Sequence, residues 1–206
     1  MSDVPGPSSA PSFSLTKAAE NYCRLCQLIV TVCSDLLRLI LSRYIEPANL
    51  RRELDKNKGK LLHIIKSNEQ RQLLYPAPAG SSVRAQDLDL RLIYTILRNV
   101  CNILQPQCKW GKSPQNGDVS LVACIEKIRI QRNLISGHRS IGEIEDPDFQ
   151  HIWQELKDII GKIEEQLFGG DMFRRRVDEL FICDLSKSEA QAYAEEFHCL
   201  RGKKDT

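Results

Sequence analysis

"SLVACIEKIRIQRNLISGH", Ser120 to His138, decides how this chain folds. At 100° per residue, Leu121, Cys124, Ile125, Ile128 and Ile135 fall in one arc about 100° wide, the pattern of a helix with one buried face. Asp118 or Ser120 can cap its start, and Gly137 is well placed to end it. Arg132 lies inside the apolar arc, four residues after Ile128 and three before Ile135. A guanidinium there is costly unless it is paired or faces a polar cleft, a partner or a ligand.

The same helical period extends in both directions. From about Thr16 to Tyr44 the chain has no Gly or Pro and predicts one long helix. Pro47 fits the first turn of a second, "NLRRELDKNKGKLLHIIKSN", with Leu50, Leu54, Leu61 and Ile65 at helical spacing and Gly59 as its weak point. "YPAPAGSS" (Tyr75–Ser82) is a break, and a third helix follows from about Asp87. The loop "QPQCKWGKSPQNGD" is dense in turn formers yet holds Trp110, expected as a packing anchor. Asp146 is expected to cap a fifth helix with Pro147 at its first position. Two shorter helices follow Gly169-Gly170: one through "MFRRRVDELFIC", the other from Ser186, which forms a capping box with Glu189. No segment sustains a period of two.

The expected fold is therefore all-α, an antiparallel bundle of about five main helices with a helical C-terminal tail. Residues 1–14, rich in Pro, Ser and Gly, are expected to be disordered. Residues 15–168 are expected to form the helical domain, and 169–206 an extension.

Composition narrows the function. Twenty-nine basic and 27 acidic residues leave a formal charge of +2 across 206 residues, which disfavours a dedicated polyanion binder. Of eight cysteines, Cys23 and Cys26 form a lone CxxC with no second pair nearby, and His198 and Cys199 are adjacent and distant. That is poor chelating geometry, so no metal or cofactor is expected. Reduced cysteines inside apolar runs, with no signal sequence at the start, fit a cytoplasmic or nuclear chain. The apolar run "LCQLIVTVCSDLLRLILSRYI" is interrupted by Gln27, Asp35 and Arg38 and predicts a core helix rather than a membrane span. "GKS" at Gly111–Ser113 is not a P-loop, because Pro106 stands where its first glycine belongs. The "RRR" run, Arg174–Arg176, is expected to be a solvated helix face.

Arg132, the polar Asn133 and, six residues after the arginine, His138 resemble the R-x4-6-H signature of HEPN domains. The surroundings extend the likeness: "WG", "GD", "IE-x-IR-x-x-RN-x-x-x-GH", then "D-x-x-F-x-x-x-W-x-x-L". From about residue 20 to 168 the chain is similar to the HEPN domain of the DAZ-interacting zinc-finger ubiquitin ligase group.

That resemblance implies a domain that pairs into a homodimer, with two motifs meeting in a shared cleft. It also implies RNA as a ligand, because active HEPN nucleases cut RNA without a metal, using the ribose 2′-hydroxyl as nucleophile. In such a site His138 moves a proton, since an ordinary imidazole titrates near about 6.5. Arg132 stabilises charge on the transition state, and Asn133 orients the phosphate or the imidazole. In one unbroken helix Arg132 and His138 point about 120° apart. Gly137 must then break the helix, or each residue works with its counterpart from a second copy. The alternative function is a non-catalytic dimerisation or signalling-partner module of an innate-immune or ubiquitin-linked protein, with no membrane role. In it the same residues stabilise assembly.

Overall fold

Residues 21–30 are all buried, so the helix that carries them has to be covered on every side. In the computed structural model, which describes residues 16–78, 80–105, 108–138 and 141–199, that helix is α1, Lys17–Tyr44. The segment 1–14, expected to be disordered, lies outside the described residues. Thr16 caps α1, its Oγ1 accepting from the Ala19 N–H at 3.1 Å. At Ile29–Cys33 the helix widens into a π turn. There Thr31 Oγ1 donates to the Gln27 carbonyl and Ser34 Oγ to that of Ile29, at 2.7 and 2.9 Å. By length and composition α1 could cross a membrane, but its most apolar window is 72% buried inside the protein, which accounts for its hydropathy.

Eight further helices surround or extend it among the described residues: α2 Leu50–Lys56, α3 Lys58–Ile64, α4 Asn68–Leu74, α5 Leu90–Asn99, α6 Leu121–Gly137, α7 Asp146–Leu167, α8 Met172–Ile182 and α9 Lys187–Cys199. No strand occurs among those residues, and the all-α bundle follows the periodicity of the sequence. Helices α5, α7, α8 and α9 pack on α1, and α6 pairs with α7.

The second helix read from the sequence is in fact three. Its first break falls at Asn57, not at Gly59. The Asn57 amide donates to the Glu53 carbonyl at 2.9 Å and so competes with the helical ladder. The chain turns again after Ile64, and Ser67 caps α4. Arg71 reaches back from α4 to the carbonyls of Ile65 and Leu62 at 2.7 and 2.9 Å, tying the two ends together. At the fifth expected helix, Glu145 is the cap and Asp146 is the first helical residue. The Asp146 carboxylate instead accepts from the buried Asn21 amide of α1 at 2.6 Å.

The C-terminal helices are joined to the same core. Glu164, buried near the end of α7, accepts from the Phe173 and Arg174 N–H groups at 2.6 and 2.9 Å and so caps α8. Arg24 of α1 donates to the Leu180 carbonyl at the other end of α8, at 2.7 Å. Gly161 leaves room where α8 returns across α7, and a Cβ there would push the Arg174 guanidinium aside. Ser186 and Glu189 form the capping box of α9, the Glu189 N–H donating to Ser186 Oγ at 3.3 Å.

Among the described residues seven cysteines are free, and six of them (Cys23, Cys26, Cys33, Cys101, Cys108 and Cys124) are buried. Burial pushes the Cys33 and Cys101 thiols up to about 12, far from the thiolate form that reacts. The native protein should therefore react with a thiol reagent at neutral pH mainly through Cys183 among these seven. The six buried thiols should react at least about 100-fold faster once the chain is unfolded in urea. Labelling followed by peptide mass spectrometry checks this; fast native labelling of Cys33 or Cys101 would contradict the packing.

Candidate functional site at the end of α6

Helix α6 begins and is held in place by the residues that make its surroundings distinctive. Ser120 Oγ accepts from the Ala123 N–H at 3.3 Å, and the Asp118 carboxylate accepts from the Ser120 N–H at 2.9 Å. Lys127 donates to the Asp118 carbonyl at 2.7 Å, and Gln166 of α7 to that of Val119 at the same distance. Glu126, with no side-chain exposure, is the hub of the loop before α6. One carboxylate oxygen accepts from the Tyr94 hydroxyl and the Gly111 N–H, both at 2.6 Å; the other accepts from Arg129 at 2.7 Å. Burial and the bond to Glu126 push the Tyr94 phenol up to about 12. Trp110 meets Tyr94 edge to face, its centroid 5.7 Å away, as a packing anchor. Gly111 sits at φ +79°, and a Cβ there would approach Arg98 to 3.0 Å, so the position takes only glycine at ease. The "WG", "GD" and "IE" elements are thus structural: they bind a long loop to one face of α6.

At the far end of α6 lie the three residues singled out by the sequence. Arg132 faces inward as its place in the apolar arc requires, and only 5% of it is exposed. Its guanidinium carbon stands 5.4 Å from the centroid of the Phe197 ring, and its Nη1 donates to Asn133 Oδ1 at 3.3 Å. The ring comes from the last turn of α9, where helix carbonyl ends favour a cation. Asn133 is exposed. His138 follows the final turn at φ −79°, ψ 1° and is half-buried. Its position comes from backbone bonds: its N–H donates to the Ile135 carbonyl, and its own carbonyl accepts from Gly142 and Ile141 at 2.8 and 3.1 Å. Gly137 stays helical, so the turn comes one residue later than the break considered from sequence. Ser136 is buried.

The structure therefore joins Arg132 to Asn133 and gives Arg132 and His138 different surroundings. Phe197, 65 positions from Arg132, has no local signal that would have paired it with the arginine. Glu126 did have one, a carboxylate at an inward helical position, but its importance shows only with the loop folded over it. Of the cations near the site, Lys127 is engaged on Asp118 and Arg129 on Glu126, and Arg139 lies outside the described residues. Arg174, Arg175 and Arg176 pair with Glu165, Asp171 and Asp35, rather than forming a free basic face. Among the described residues no cluster of His, Cys, Asp and Glu is arranged to hold a metal.

An all-helical bundle with one helix that ends in Arg-Asn and a following His is of the HEPN type. The model of the DZIP3/hRUL138-like HEPN family matches residues 47–181, and the chain belongs to that family. No curated protein and no solved structure matches it. The matched segment takes in α2 to α7 and nearly all of α8; α1 and α9 lie outside it.

Replacing Glu126 by Ala removes the acceptor of three donors in a dry site and should destabilise the protein by about 3 kcal/mol. For a domain of this size that corresponds to a Tm lower by roughly 6–12 °C. Thermal and urea unfolding measure the effect; a change under about 1 kcal/mol would show that the loop is held by other contacts.

Proposed function

We propose that this HEPN domain acts as a non-catalytic interaction module, and that Arg132 serves packing rather than chemistry. The observation that carries this is the cover over Arg132: a guanidinium 5% exposed and faced by Phe197 of its own chain. Stabilising a phosphoryl transition state requires donors aimed at the place where charge develops, in an accessible site. Binding RNA through its backbone requires free cations, and among the described residues of α6 Lys127 and Arg129 are bonded internally. The surface at this end offers a partner something else. Leu134 on the last turns of α6 and Ile141 just after it, whose N–H donates to the His138 carbonyl, are apolar side chains 47% and 70% exposed. They suit a second copy of the chain, or a signalling protein of the innate-immune or ubiquitin-linked kind, better than they suit a polyanion.

A second reading keeps its own support. Asn133 is exposed and bonded to Arg132, and His138 stands half-exposed at the same helix end. With Arg132 uncovered, the three would form the RNA-engaging, metal-independent endoribonuclease site that the resemblance implies, completed across a homodimer. His138 would take the proton of the 2′-hydroxyl, and Arg132 and Asn133 would hold the phosphate.

Light scattering on the purified chain, with single-stranded RNA incubated in EDTA, separates the two. The module predicts a dimer that Leu134→Asp or Ile141→Asp weakens at least tenfold, with RNA left intact. Products ending in 2′,3′-cyclic phosphate, lost in His138→Ala while the dimer persists, would overturn it in favour of the nuclease.

A further inference from the structure

We propose that the groove between α3 and α4 is a docking site for a phosphorylated side chain of a partner protein. Its register on α4 is the first observation. Asn68, Arg71, Gln72 and Tyr75 stand at i, i+3, i+4 and i+7, so they share one face of that helix and of the residue that caps it. Lys58 and Leu62, at i and i+4 of α3, form the other wall, and the space between holds about 270 Å³. Two cations, two amides, a phenol and one leucine line it, with no carboxylate among the described residues there. Glu69, the acid of α4, falls about 100° round the helix from Asn68.

The charges are the second observation. Arg71 is held through Nε on the Ile65 carbonyl and through Nη2 on the Leu62 carbonyl, at 2.7 and 2.9 Å. Both acceptors are uncharged, so these bonds fix the guanidinium without neutralising it, and they leave it donors for a ligand. Lys58 stands over the Tyr75 ring, its Nζ 5.0 Å from the centroid, and makes no ion pair among the described residues. The acids on the same stretch of chain are already taken. Asp55 accepts from Nε and Nη2 of Arg51 at 2.8 Å each, and Glu53 from Lys56 at 2.8 Å. Tyr75 donates to the Leu54 carbonyl at 2.9 Å, which fixes its ring. Burial pushes its phenol up to about 12, so it adds no negative charge at neutral pH.

Charge and shape together choose the ligand. A phosphate monoester carries a charge of about −1.5 to −2 at neutral pH and has three acceptor oxygens. Lys58 and Arg71 match that charge, and the Asn68 and Gln72 amides supply neutral donors for the remaining oxygens. A carboxylate would leave one of the two cations unmatched. Small-molecule sites bury most of the ligand's surface, whereas this groove is open and Lys58, Asn68 and Gln72 are exposed. Such a groove suits a phosphate carried on a larger surface, with Leu62 against the carrier. The site shares no residue with the end of α6, so it stands whether or not Leu134 and Ile141 meet a partner.

The test is NMR titration of the isotope-labelled full chain with peptides that carry one phosphoserine between randomised flanks. Shifts should concentrate at Lys58, Asn68, Arg71 and Gln72, and the unphosphorylated peptides should bind about tenfold more weakly or less. Lys58→Gln, at an exposed position, should weaken the phosphopeptides about fivefold with Tm unchanged, and Lys58→Arg should restore most of the binding. Arg71→Gln should weaken them at least as much. Should that variant fail to fold, Lys58→Glu takes its place and should abolish binding. No shift at these residues, equal affinity for the two peptide pools, or binding untouched by the Lys58 substitutions would overturn the site. Inorganic phosphate that binds as tightly as the phosphopeptides would overturn a partner protein as the source of the phosphate.

Discussion

The burial of α1 is the constraint from which the rest of the architecture follows. Ten successive residues, Asn21 to Val30, are buried, so one covering layer cannot suffice and helices must close around it. The polar residues in that stretch then dictate where the covering elements go. Asn21 binds the Ile144 carbonyl and Asp146, which fixes the start of α7. Arg24 binds the Leu180 carbonyl, which fixes the end of α8. Each partner satisfies a donor that would otherwise be desolvated with nothing in exchange, a loss on the order of 1–3 kcal/mol. Cover for the remaining side comes from α9, and Arg132 is enclosed as a result.

A second theme is how the arginines are used. Arg38 donates to the Ala85 and Leu88 carbonyls, Arg71 to those of Leu62 and Ile65, and Arg51 to that of Ser81. A guanidinium has five donors in a fixed fork and can hold a turn and a carboxylate together. Arg51 does both, meeting Asp55 as well as Ser81. Arg132, set against Phe197 and Asn133, belongs to this pattern of internal fastening.

Much of the fold was legible residue by residue. Thr16, Ser120 and the Ser186–Glu189 pair begin helices where their side chains bond the first free N–H groups, a local effect that needs no tertiary context. The break at Asn57 was not legible, since Asn and Gly both weaken a helix and packing on Leu54 and Leu61 decides which one yields. The site divides along the same line. That Arg132 occupies an inward position follows from helical spacing; what it meets there depends on a ring 65 residues later.

Sequence alone thus determined that the chain is helical, where most helices begin, their apolar faces and the position of Arg132, Asn133 and His138 at one helix end. All of these depend on interactions within a few turns of chain. Only the tertiary structure decided that Glu126 holds the Trp110–Gly111 loop, that Glu164 and Arg24 bracket α8, and that Phe197 closes over Arg132. Those contacts join residues far apart in sequence, and they exist only once the helices have closed around α1.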